Sequence, residues 1–114
     1  MNSELPKIEK EFPDLFAEGY EAVKQGRVKK YVFKPGDRIR WVVVGKKRDY
    51  LVLPESGYCS CEDFFFRVMS HEKPMCYHLV AVKIALLTDI YTVIEESVDW
   101  HDRFMTEWIF RRDG

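Results

Sequence analysis

Two tight pairs of metal-binding side chains constrain this chain more than any other feature: Cys59-Ser60-Cys61 and, fourteen residues later, Cys76-Tyr77-His78. Thiolate sulfur and imidazole nitrogen are donors that Zn²⁺ prefers, and four of them complete a tetrahedral site. Alternate side chains of extended or turning backbone point the same way, so both sulfurs of a C-x-C pair can face one ion. The second pair can do likewise, with Cys76 just ahead of an apolar helix and His78 in its first turn. Free N–H groups and the positive end of the helix dipole favour thiolate there. The competing reading, three buried thiols and a core histidine, requires four unrelated residues to fall into two such pairs. Three thiolates and a neutral imidazole leave no position for activated water, so a single structural Zn²⁺ is expected. His71, inside the spacer, is a rival for the fourth ligand position.

Three cysteines are an odd number that cannot all pair within one chain, and metal ligation becomes their leading use in a reducing compartment. The N-terminal MNSELPKIEKEF lacks the apolar core of a secretory signal, and no run is long and uncharged enough for a membrane helix. The expectation is an intracellular protein, cytoplasmic or in the nucleoid or nucleus, and not secreted. With 114 residues and 46% hydrophobic content, one domain with a real core is expected over 1–114.

Residues 1–26 read as an N-terminal helix, with Pro6 and Pro13 in first-turn positions, an apolar stripe of Leu15, Phe16, Tyr20 and Val23, and Gly26 as the stop. Three β-branched and aromatic runs follow at about 28–34, 39–44 and 50–53, with connections short enough for an antiparallel meander. Ile39, Trp41 and Val43 should share one face of the second strand, with Arg40, Val42 and Val44 on the other. The zinc module is expected over about 54–90, closed by a buried helix from Tyr77. Thr92-Val93-Ile94-Glu95 matches a capping box and predicts a C-terminal helix over about 92–112. The fold class is therefore α+β: N-terminal helix, three-stranded antiparallel sheet, zinc knuckle with buried helix, C-terminal helix.

The near-neutral total hides a charge gradient: residues 1–23 carry −4, residues 24–48 carry +9 and residues 49–114 carry −6. The basic block makes Arg27, Lys29, Lys30, Lys34, Arg38, Arg40, Lys46, Lys47 and Arg48 candidate DNA contacts, with Tyr31, Phe33 and Trp41 interleaved as possible stacking partners. An ordinary solvated strand face is the alternative. At the C-terminus, Trp100, Phe104, Trp108, Ile109 and Phe110 are candidates for a partner-binding stripe, with core packing as the alternative. No nucleophile, phosphate-loop or acid–base set competes with the cysteines, and neither an enzyme nor a small-molecule substrate is expected.

The C-x-C, variable spacer, C-x-H order resembles the SWIM zinc finger: CSC, the spacer EDFFFRVMSHEKPM, then CYH, followed by the apolar LVAVKIALL. With the flanking strands and helix the resemblance extends over about residues 27–90. SWIM modules occur in large transposase-like and chromatin-associated proteins and in short stand-alone proteins, and this chain is similar in size to the second group. That group includes the SWIM subunit of Shu-type recombination complexes and its archaeal relatives, which pair with paralogues of the RecA-family recombinase. The resemblance implies an accessory protein of homologous recombination and DNA repair that binds such a paralogue, with DNA as a further candidate partner. A structural protein-interaction module with no nucleic acid contact is the alternative. Only Cys59, Cys61, Cys76 and His78 match the family's motif residue by residue.

Overall fold

The computed structural model describes residues 4–45, 48–61 and 75–110. The N-terminal region forms two helices, α1 (Glu4–Glu11) and α2 (Pro13–Lys24), where one was expected. The reason is Pro13: it excludes the helical region for the residue before it, and Phe12 sits at φ −134°, ψ 65°. Pro13 then occupies the first turn of α2, where its missing N–H costs nothing. As expected, α2 stops at Gly26, whose φ of +72° suits glycine. The Gly26 N–H donates to the Val23 carbonyl and the Arg27 N–H to that of Ala22, a Schellman closure.

The three expected strands are present as β1 (Val28–Lys34), β2 (Arg38–Val44) and β3 (Asp49–Leu53), and a two-residue β4 (Tyr58–Cys59) extends the meander. After α3 (Tyr77–Thr88) comes β5 (Thr92–Ser97), then a 3₁₀ turn (Val98–Trp100) and α4 (His101–Phe110). The sheet is mixed and five-stranded, in the order β4-β3-β2-β1-β5, with β5 parallel to β1 and every other pair antiparallel. This corrects the expected helix start at residue 92. Thr92-Val93-Ile94 is a β-branched run that stiffens the extended chain, and pairing with β1 overrides the local capping signal. The helix begins only after Ser97, whose hydroxyl accepts from the Asp99 N–H at 3.2 Å.

Register divides the sheet into two covered faces. Val28, Trp41, Val43, Val52 and Cys59 lie on one, against α2 and α3. Ile39, Trp41 and Val43 do share this face, as expected. Helix α3 is buried from His78 to Ala85 apart from half-buried Lys83, consistent with its nearly uninterrupted apolar sequence. It packs close to α2: a Cβ on Gly19 would lie 2.6 Å from Val80 Cγ1. Phe33, Val42 and Leu51 point to the opposite face and meet Trp108 of α4. Each fully buried side chain of this size contributes roughly 1.5–3 kcal/mol, so both faces carry core. Among the described residues no helix is long and apolar enough to cross a membrane.

Candidate metal centre

The sheet and α3 deliver the four expected ligands to one point. Cys59 ends β4 opposite Val52. Ser60 then clamps the chain to β3: its N–H donates to the Leu51 carbonyl at 2.9 Å, and its hydroxyl accepts from the Leu51 N–H at 3.0 Å. With the middle residue held outward, Cys59 and Cys61 can both turn inward, and both are buried. Cys76 is the extended N-cap of α3 and His78 its second residue, so one helix end positions the other two donors.

The ligand atoms of Cys59, Cys61, Cys76 and His78 all lie within 4.8 Å of one another. A tetrahedral zinc site with Zn–S of about 2.3 Å has donor–donor spacings of about 3.8 Å. Closure on an ion therefore needs side-chain shifts of about an ångström or less.

The chemistry of the donors fits such an ion. None of the three cysteines forms a disulfide. His78 is 5% exposed, and neither Nδ1 nor Nε2 has a hydrogen-bond partner. A buried imidazole in that state is costly unless one nitrogen ligates something. Cys59 is held far above the ordinary thiol range because its proton is shared with Cys61 and Cys76, with burial adding to the effect. Cys61 is driven strongly down because the Cys59 and Cys76 thiols donate to it. Cys76 accepts from Cys59, but donation to Cys61 and burial outweigh this and push it up to about 12. Mutual hydrogen bonding and burial thus keep the protein groups alone from holding all three thiols ionised at once. A divalent cation is what would allow all three to ionise.

The ligands are braced by aromatic rings. His78 lies between Tyr77 and Tyr50, with ring centroids at 4.0 and 4.5 Å. Arg27 donates to the Tyr77 hydroxyl at 2.8 Å and to the Val44 carbonyl at 2.7 Å. Arg48 stands over the Tyr50 ring at 5.3 Å and donates to the Trp108 carbonyl in the last turn of α4. A cleft of about 500 Å³ between α2 and the sheet opens onto His78 and offers an ion a way in.

The structure therefore scatters the basic block. Arg27 and Arg48 are tied to backbone carbonyls and tyrosine rings around the metal centre. Lys30 lies over the rings of Trp41 and Tyr91, each at 5.8 Å, and Lys34 pairs with Asp37 at 3.3 Å. Lys29, Arg38 and Arg40 fall on the sheet face opposite Lys30. Lys46, Lys47 and the rival ligand His71 lie outside the described residues. The aromatic stripe divides as well: Trp108 is 4% exposed in the core, with Phe104 and Ile109 packed beside it, while Trp100 is 48% exposed. Trp108 is packed against Phe33, Val42 and Leu51, as the core-packing alternative expects. The side chain of Phe110 lies outside the described set.

The bracing residues were not visible in the sequence. Tyr77 is a sequence neighbour of the ligands, but Tyr50 meets His78 only through the packing of β3 on α3, with Arg48 standing over Tyr50.

No protein-family model matches the chain. Over 84 residues it is 36% identical to an uncharacterized protein of Archaeoglobus fulgidus, a match covering 73% of this chain and 65% of that protein. Over 77 residues it is 34% identical to a zinc finger SWIM domain-containing protein 7 homologue of Dictyostelium discoideum, covering 66% of this chain and 49% of the relative. The chain thus spans about half to two thirds of the length of these curated relatives. Likeness to a SWIM-domain protein and a buried cluster of three cysteines and one histidine together support a SWIM-like, zinc-binding module.

Proposed function

We propose that this is a non-enzymatic SWIM-type accessory protein, with one structural Zn²⁺ on Cys59, Cys61, Cys76 and His78, that assists homologous recombination and DNA repair by binding a RecA-family recombinase paralogue. The observation that carries the reading is the donor set: three sulfurs and an imidazole within 4.8 Å fill a tetrahedron and leave no ligand position for substrate or water. Such an ion contributes to folding and leaves the protein to act by contact. Resemblance of the C-x-C…C-x-H pattern to short SWIM proteins supports the recombinase partner. It also suits a nucleoid or nuclear setting in a reducing compartment.

The test is co-expression of the zinc-loaded chain with RecA-family paralogues of its own organism, followed by isolation of the complex. A stoichiometric complex that survives gel filtration is the expected result. A folded chain that captures no paralogue would overturn this reading.

A second reading, a protein-interaction module without nucleic acid contact, is favoured by one observation. The basic residues are divided between two sheet faces, and Arg27 and Arg48 are engaged around the metal centre. Direct DNA contact would fall to Lys29, Arg38 and Arg40 with Lys46 and Lys47, Arg40 also donating to the Ile39 carbonyl at 2.8 Å. Anisotropy with labelled single- and double-stranded DNA at two salt concentrations separates the readings. Binding that weakens steeply with salt and is lost in Arg38→Glu/Arg40→Glu supports DNA contact. Arg48 belongs outside any such variant because it holds α4.

A further inference from the structure

Among the described residues, strand β5 ends the sheet with no strand on its other side. Thr92–Ser97 pairs in parallel with β1, while its last residue, Ser97, caps the following 3₁₀ turn. About half of the backbone donors and acceptors of a strand paired on one side point away from the sheet, ready to template another strand. The two ends of the sheet are unlike. At the far end β4 is two residues long, which blunts that edge by shortness. β5 is six residues long and contains no lysine and no proline, the usual deterrents to edge pairing. Apolar side chains border it: Ile90 and Val93 are each 53% exposed, and Trp100 lies just beyond its end.

Charge identifies the occupant. From Ile84 to Asp102 the chain carries Asp89, Glu95, Glu96, Asp99 and Asp102 and neither lysine nor arginine. Glu95 is in register with Val32 and Glu96 with Phe33, so the two carboxylates flank the strand on opposite faces. The cations next to them in the ladder are engaged: Lys30, opposite Val93, lies over Trp41 and Tyr91, and Lys34, opposite Ser97, pairs with Asp37. Lys29 lies opposite Thr92 at one end and Arg103 stands over Trp100 at the other. Between them Glu95 and Glu96 disfavour nucleic acid along the strand, and a second copy would bring its own glutamates against these. We propose that β5 is a docking edge for an extended segment of a partner protein in which basic and apolar residues alternate, added to the sheet as a sixth strand. The assignment holds whatever the partner's identity, so it stands or falls separately from the recombinase reading.

The probe is a labelled ten-residue peptide alternating lysine with valine and threonine, compared with the same peptide carrying glutamate for lysine, each titrated into the zinc-loaded chain. The lysine peptide is expected to bind about tenfold or more tightly than the glutamate peptide and to slow amide exchange at residues 92–97. Glu95→Lys/Glu96→Lys, folded by circular dichroism and zinc content, is expected to reverse that preference. The exchange measurement on the unaltered chain decides the matter even if the variant does not fold. Absence of binding, protection away from residues 92–97, unchanged preference in a folded variant, or a homodimer that protects β5 in native mass measurements would each overturn the proposal.

Discussion

The two faces of the sheet are closed by different means. The α4 face closes itself: Phe33, Val42 and Leu51 meet Trp108, with Tyr31 edge-on to the Trp108 indole at 5.0 Å. The α3 face is also well packed, yet at one end it gathers three thiols and an imidazole with neither nitrogen partnered. Apolar packing cannot satisfy those atoms, and an ion can. The α4 face also leaves a buried nitrogen without a partner, His101 Nε2 beside Phe33, but among the described residues only the α3 face gathers four donors that a single ion could satisfy. Arg48 joins the two faces, from the Tyr50 ring beside His78 to the α4 carbonyl of Trp108.

The largest expected effect falls on the α3 face, at the cysteine–histidine cluster. Cys76→Ala removes a ligand and should abolish stoichiometric zinc together with the cooperative fold, since structural zinc contributes on the order of 10 kcal/mol of apparent folding free energy. Metal analysis and thermal melting check both. Trp108→Ala should cost about 3–5 kcal/mol through the cavity it leaves under α4. Zinc content should be unchanged, and denaturant midpoints beside metal analysis show whether the faces separate in this way. Arg48→Ala should cost about 1–3 kcal/mol by leaving a carbonyl of α4 without its donor. Unlike the tryptophan change it should also weaken zinc retention against a competing chelator, because Tyr50 loses its support beside His78.

The smallest effect concerns Asp49, at the start of β3. Burial raises its pKa above the ordinary 3.8, with Lys29 lowering it in part and Glu107 raising it further. The folded protein therefore holds that proton more tightly than the unfolded chain. The associated stability is present below the ordinary carboxylate value and is lost as pH rises through the raised one. Asp49→Asn should raise the denaturation midpoint slightly at pH 7, with the gain shrinking as pH falls toward the ordinary value.

What could be read from the sequence followed from distance along the chain. The C-x-C and C-x-H pairs, the three-strand meander and the stop at Gly26 depend on residues a few positions apart, and each appears where expected. Strand β5 does not: Thr92-Val93-Ile94-Glu95 satisfies a helix-start rule, and only its partner β1, far back in the chain, makes it a strand. The same dependence on distant contacts governs the residues of the two candidate surfaces. Trp108 looked available because its cover, Phe33 and Leu51, comes from β1 and β3, and Arg27 and Arg48 looked like phosphate contacts because their acceptors lie in β2 and α4. Composition placed the positive charge, but only the register showed that it is divided between faces.

The most direct test is to measure zinc in the purified chain and then remove it with a strong chelator under reducing conditions, following far-ultraviolet circular dichroism and the melting transition. One zinc per chain, with loss of the cooperative transition on removal and its return on adding back Zn²⁺, is the predicted result. A chain that keeps its spectrum and its melting temperature after complete removal would contradict the claim that an ion completes the α3 face.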